Sequence, residues 1–261
     1  MSVEQKKYLY KLKKEKLLVG FTQIFIIVSF LIIWELLAKY KVINTFIFSS
    51  PVLIINTITN LIRQNNLFIH IFTTLEEIII AFFLGIIIGF GIAILLYSFK
   101  FLAKVLDPFL TMLNSLPKVA LGPILIIWAG ANTKSIIIMA LLINLIISII
   151  TVYNGFLGTD KTRIKLLQTF GANKLQVLLH VVIPSSYSTI ISSLKLNISM
   201  SLIGVIMGEF LVSKKGIGYL IIYGTQIFNL NLVMSGIFLL IIISYLLYKI
   251  IIKIERKLLT K

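Results

Sequence analysis

The sequence predicts an all-α membrane protein of about six transmembrane helices with both termini cytoplasmic, and three observations carry that prediction. Of 261 residues, 59% are hydrophobic and only 13% charged, whereas a soluble domain carries roughly 45–50% apolar and about 25% charged residues. The apolar residues gather into six runs near the length of about 20 residues that a bilayer-crossing helix needs. The basic residues, 25 against 9 acidic ones for a net charge of +16, fall mostly on one side of the alternation those runs define. Such hydrophobicity excludes a disordered chain. The absence of cysteine excludes a disulfide-stapled secreted domain.

Taken in order, residues 1–16 are a basic N-terminus carrying Lys6, Lys7, Lys11, Lys13, Lys14 and Lys16. Residues 17–37 form the first span, with Glu35 near its far end. That run is too long for a signal-peptide core and lacks a small-residue cleavage site, so it reads as a retained helix. Residues 38–74 are an extracytoplasmic segment. Ile78 to Tyr97 is an uncharged second span, in which Ala81, Gly85, Gly89 and Ala93 recur every four residues. Small residues on one face let helix backbones approach closely in lipid. Val105 to Ala129 is the third span. It holds Lys118, Pro117 and Pro123, and prolines break or kink a helix. Ser135 to Val152 is the fourth, Ser188 to Val212 the fifth, with Lys195 and Glu209 inside it, and Leu232 to Tyr248 the sixth.

Charge sets the orientation. Seventeen of the 25 basic residues lie on the side shared by the termini: the six above, Lys100, Lys104, Lys161, Arg163, Lys165, Lys174, Lys249, Lys253, Arg256, Lys257 and Lys261. The other side holds Lys39, Lys41, Arg63, Lys134, Lys214 and Lys215. Cytoplasmic loops carry the excess of Lys and Arg, so residues 255–261 are a cytoplasmic tail. The charge is accounted for by topology and by membrane lipid headgroups, with no need of nucleic acid.

Several chemistries are missing. No glycine is followed by lysine, so there is no P-loop. His70 and His180 are the only histidines and lie far apart, without cysteine to complete a zinc site. Glu76 and Glu77 begin a pattern like that of intramembrane proteases, but Ala81 stands where an arginine is required. They read as interface-level carboxylates at the outer end of the second span. Lys195 and Glu209 are 14 residues apart, about 21 Å along a helix. That separation puts them near opposite ends, where both can snorkel to an interface, and disfavours a proton relay.

The longest cytoplasmic loop, 156–187, is patterned. Ile164, Leu167 and Phe170, then Leu175, Leu178 and Leu179, recur at helical spacing. Gly171 interrupts them and Pro184 stops them. Two short amphipathic helices meeting near Gly171 are expected. Their apolar ridge packs either on the chain's own helix ends or against a cytoplasmic partner.

Here the sequence resembles a known family. Gly171, the nine residues Ala172 to His180, and Val181-Val182-Ile183-Pro184 are similar to the signature of bacterial ABC-importer permeases, which runs E-A-A, three residues, glycine, nine residues, I-x-L-P. Leu106-Asp107-Pro108, Asn114-Ser115-Leu116-Pro117, Gly122-Pro123 and Trp128-Ala129-Gly130 resemble the nitrate/sulfonate/taurine branch, as do Gly208-Glu209-Phe210 and Gly216-Ile217-Gly218-Tyr219. The departure is that Lys165, Leu166 and Leu167 stand at the E-A-A positions, so a lysine replaces the family's glutamate.

The resemblance implies a type I importer permease with its core over 75–254, in a bacterial plasma (inner) membrane. It implies that the chain is not an enzyme and holds no cofactor, ATP and magnesium being bound by a separate cytoplasmic ABC ATPase present in two copies. A second permease copy and an extracellular or lipid-anchored solute-binding protein are the other implied partners. Lys165, Leu166, Leu167, Gln168, Thr169, Phe170, Gly171, Ala172, Asn173 and Pro184 would form the ATPase-coupling loop. Asn114, Ser115, Asn144, Ser148, Asn197, Ser199 and Ser201 are candidates either for the translocation path or for interhelical hydrogen bonds. The implied solute is small, polar and anionic, like a sulfonate, nitrate or taurine; a thiamine precursor or other vitamin is the alternative. From another class, an ATP-independent carrier or a membrane scaffold remains open.

Overall fold

The computed structural model describes residues 3–64 and 66–259, and all regular structure among them is helical. The ends of the predicted termini, Met1, Ser2, Thr260 and Lys261, lie outside the described residues, as does Asn65. The first helix, α1 (Val3–Lys39), starts well before the predicted span. Lys and Glu are good helix formers, so the basic segment 7–16 continues the transmembrane helix into the cytoplasm instead of ending it. At 1.5 Å per residue its 37 residues extend about 55 Å, well beyond a hydrocarbon core of about 30 Å.

The segment 38–74 is structured. α2 (Pro51–Arg63) begins with Ser50 as N-cap and a proline in its first turn. Ser50 Oγ accepts from Leu53 N at 3.3 Å, and Glu35 Oε2 on α1 accepts from Val52 N at 3.0 Å. A carboxylate at a helix N-terminus meets orphan amides and the positive end of the dipole. That contact anchors α1, whose span is otherwise unburied by the rest of the chain.

α3 (Leu67–Ser98) begins eleven residues before Ile78, because 67–77 holds no proline or glycine to break the helix. α4 (Lys100–Ser115) and α5 (Gly122–Ala129) cover the expected third span and are broken near Pro117 with a bend of 88°. α6 (Thr133–Leu157) follows. In the loop, α7 (Lys161–Thr169) and a composite helix α8 (Lys174–Ser185) are both short. α9 (Tyr187–Val212), α10 (Ile217–Gln226) and α11 (Leu230–Leu259) complete the chain. Five helices are long and apolar enough to cross a membrane, or six if the bent pair is one span.

The centre is a trio, α6 packed against α3 and α9. Ile78, Ala81, Ile136, Ala140, Ile198 and Val205 form its core. Close backbone approach makes this packing possible. A Cβ at Gly204 on α9 would overlap Ala140 Cα on α6, and one at Gly85 on α3 would lie 2.5 Å from Asn144 Oδ1. Without a hydrophobic force between lipid-immersed helices, such contact and the hydrogen bonds it permits supply the association.

Candidate functional site

The cytoplasmic loop is built by local rules. Asp160 caps α7, accepting from Thr162 N at 2.8 Å, and its bonds from Thr162 hold its carboxyl below the usual carboxylate range. The helix ends in a Schellman arrangement. Gly171 N donates to Gln168 O at 2.9 Å and Ala172 N to Leu167 O at 3.2 Å, with Gly171 at φ +81°. A side chain at that backbone angle is strained, which explains a glycine there. α8 starts with a capping box: Asn173 Oδ1 accepts from Gln176 N at 2.9 Å, and Asn173 N donates to Gln176 Oε1 at 2.8 Å. Residues Leu178–Val182 adopt a wider π turn before Pro184.

The amphipathic ridge divides between its two readings. Ile164, Leu167 and Ala172 pack on Phe156, Val177, Leu178 and Val182, so part of it rests on the chain's own helix ends. Phe170 remains 78% exposed and Leu166 59%; Leu175 and Leu179 are also exposed. Beside them a cleft of about 350 Å³ is lined by Leu166, Leu167, Phe170, His180, Pro184 and Arg163. Lys165, Gln168, Thr169, Gly171 and Asn173 are exposed around it. Lys161, Arg163, Lys165 and Lys174 make this surface basic, and the adjacent acidic group, Asp160, is occupied by capping.

The polar residues of the spans fall into two groups. Asn144, Ser148, Asn197 and Ser201 are buried between helices. Asn144 Nδ2 donates to Ala81 O at 3.0 Å and to Ser201 Oγ at 2.7 Å, while Asn197 Nδ2 donates to Ser148 Oγ at 3.2 Å. Gly85 and Gly89 make room for Asn144 and Ser148, so the small-residue stripe with Ala81 and Ala93 serves packing inside one chain. Asn114, Ser115 and Ser199 are instead exposed.

Two expectations need correction. Glu209 does not snorkel: it is 0% exposed, and Glu77 only 2%. Thr74 Oγ1 donates to Glu209 Oε1 at 2.6 Å, and Gly218 N donates to Oε2 at 2.5 Å. Ile217 N donates to Thr74 Oγ1 at 2.8 Å and Gly216 N to His70 Nδ1 at 3.0 Å. Both carboxyl oxygens of Glu77 are buried and make no hydrogen bond among the described residues. Glu209 therefore caps the N-terminus of α10 from a different helix, meeting the orphan amides that every helix start leaves. Lys195 does reach toward the cytoplasmic end, where it pairs with Glu255 near the end of α11 at 2.8 Å. Spacing along α9 missed both partners because they come from other helices. The signal that was available is the pair Gly216 and Gly218 shortly after an intramembrane glutamate.

Comparison with known proteins agrees with this geometry. Residues 81–261 match the family described as "Binding-protein-dependent transport system inner membrane component". An ABC transporter permease protein of Haemophilus influenzae, named there as probable, is 30% identical over 218 residues, 84% of this chain and 88% of the relative. SsuC of Bacillus subtilis, named for aliphatic sulfonates transport, is 28% identical over 227 residues, 87% of this chain and 82% of the relative. Among solved structures, an inward-facing MetNI methionine ABC transporter superposes with a TM-score of 0.62 at 18% identity, covering 72% of this chain and 94% of that one. At that identity the superposition speaks to the fold alone. The bent third span, the trio core and the basic helical loop around Gly171 thus occur together in a chain that belongs to the family of binding-protein-dependent transport system inner membrane components.

Proposed function

We propose that two copies of this chain enclose a path for a small anionic solute of the sulfonate, nitrate or taurine kind. Two copies of the ATPase would drive it through the Gly171 loop, with ATP and magnesium held on that partner. Family membership makes the chain the permease subunit of an ABC importer, a multi-pass plasma-membrane protein whose ATP is hydrolysed by a separate ATPase and whose solute arrives on a binding protein. The observation that carries the coupling role is the half-exposed ridge of α7 and α8, with Phe170 and Leu166 bare over a cleft. A rigid short helix seated in a partner's groove transmits movement of that partner to the spans it is packed on. Ile164 and Leu167, resting on the inner ends of α6 and α8, are that connection here. The basic surface around Lys165 fits an acidic groove on the ATPase.

The exposed Asn114, Ser115 and Ser199 would be the candidates to meet a solute between copies. The sulfonate class draws its support from SsuC, named for aliphatic sulfonates. The test is co-purification with the partner ABC ATPase, comparing the unmodified chain with Phe170→Asp and Gly171→Asp. Loss of the complex with the membrane core still folded is expected. Retained complex and retained ATP-driven uptake in both variants would count against the coupling role.

A further inference from the structure

Most of α4 is left uncovered by the rest of the chain, and its uncovered surface has two chemistries. Ala103, Leu106 and Leu110 pack with Leu96 of α3 and with Leu145 and Ile149 of α6. To one side of that seam Phe101, Val105, Phe109 and Met112 are exposed, an apolar face suited to lipid. To the other side Lys104, Asp107, Thr111 and Asn114 are exposed. They recur at three and four residues, the spacing of one helix face. At 3.6 residues per turn the two rows are centred roughly 130° apart.

The polar row crosses the membrane. α4 starts just after the inner end of α3 at Ser98. Its far end leads to Gly122, which lies with Ser135, Leu211 and Val212 at the outer ends of α6 and α9. Asp107 and Thr111 are about 10 and 16 Å along a crossing of about 24 Å, against a hydrocarbon core of about 30 Å. Leu145, in the cluster that Leu106 and Leu110 join, is the midpoint of α6. The Asp107 carboxylate, on a single methylene, cannot snorkel from there as a lysine does. It lies near Tyr153 of α6, and among the described residues it makes no hydrogen bond or ion pair. The side-chain amide of Asn114 is likewise unpartnered. Thr111 Oγ1 donates to Asp107 O at 3.0 Å. Pro108, inside the helix, leaves the Lys104 carbonyl without its amide partner. Hydrocarbon offers such groups nothing, and an ionisable side chain at this depth faces the bundle interior or a water-filled cavity.

We propose that this polar face of α4 is a wall of the water-filled translocation path, where Asp107 is the counter-charge for a positively charged group on the solute. The solute is then a small zwitterion, an amine joined to its acidic group, because a carboxylate at this depth repels a solute that is anionic throughout. That wall rests on the reading that two copies of the chain enclose the path. A face turned to lipid, or pressed against the second copy, would show the same exposure, and the test separates the three.

The full chain in complex with its ATPase is placed in phosphatidylcholine nanodiscs, which leave both membrane faces open. Thr111→Cys and Phe109→Cys are the reporters, one at a time, in a chain that lacks other cysteines. The probes are cationic 2-(trimethylammonio)ethyl and anionic 2-sulfonatoethyl methanethiosulfonate. Thr111→Cys is expected to react at least about tenfold faster than Phe109→Cys, because the reacting thiolate does not form in hydrocarbon, and to favour the cationic reagent. Asp107→Asn should lower its cationic-to-anionic rate ratio on the order of tenfold, the effect of one unit charge about 6 Å away in a partly watery space. Asp107→Glu should preserve it. Equally slow labelling at both positions puts the face in lipid and overturns the proposal. A Thr111→Cys that resists both reagents but cross-links to the second copy on oxidation makes the face a seam and overturns it too. A ratio that Asp107→Asn leaves unchanged overturns the counter-charge and with it the zwitterion. One copy of the chain per complex in native mass spectrometry refutes the two-copy reading instead, while the labelling still reports whether the face is wet.

Discussion

Replacing Glu209 with alanine should release α10 from the core. Its carboxyl accepts from Thr74 Oγ1 at 2.6 Å and from Gly218 N at 2.5 Å, and the residue is fully buried. Hydrogen bonds to a carboxylate are worth about 1.5–3 kcal/mol each, and the abandoned donors keep their desolvation cost. The two bonds together set a loss of roughly 3–6 kcal/mol. For a chain of this size that is a fall in Tm on the order of 10 °C. Glu209→Gln keeps the volume and one acceptor, so it should lose about half as much. Thr74→Ala removes a shared partner, and the double variant should cost less than the two singles added, by about 1–2 kcal/mol. Thermal unfolding in nanodiscs measures the totals, and amide exchange at Ile217 and Gly218 measures the local release. Unchanged exchange at Gly218 in Glu209→Ala would refute the capping role, whatever happened to Tm, because that amide is the one the carboxylate protects.

Three further outcomes follow from named contacts. Gly204→Val places branched carbon against Ala140 Cα, and overpacking of this kind costs about 1–3 kcal/mol; a Tm equal to the wild type would show that α6 and α9 can separate freely. Gly171→Ala must hold an alanine at φ +81°, a strain of roughly 1 kcal/mol; weaker ATPase binding with unchanged unfolding of the spans is expected, measured by pull-down and Tm on one preparation. Single cysteines at the exposed positions Lys161 and Lys214 report orientation: in intact cells an impermeant thiol reagent should label Lys214→Cys and spare Lys161→Cys, and the reverse pattern would invert the topology.

The spans, their order and the loop helices were legible because each depends on neighbours in sequence. Apolar run length and the Gly171 interruption are local signals, and they describe α6, α9 and the loop well. Helix ends were less legible. α1 runs to Val3 and α11 to Leu259, since a span's hydrophobic limit is not its hydrogen-bonding limit; lysine-rich flanks continue the same helix in water. The 88° bend at Pro117 was foreseeable as a break but not as an angle, which packing against α6 sets.

What the sequence by itself determined about this protein is its medium, its orientation and its family, because hydrophobicity, charge asymmetry and motif spacing add up residue by residue along the chain. Only the tertiary structure decided what the intramembrane polar groups do. Asn144 and Asn197 tie helices together, and Glu209 caps a helix against a threonine 135 residues away. Lys195 finds Glu255 near the cytoplasmic end of α11, and Lys118 donates to Asn114 O at the end of α4. The physical reason is that a buried polar group is tolerated only with a partner, and that partner is chosen by which helices touch, a fact no single segment contains.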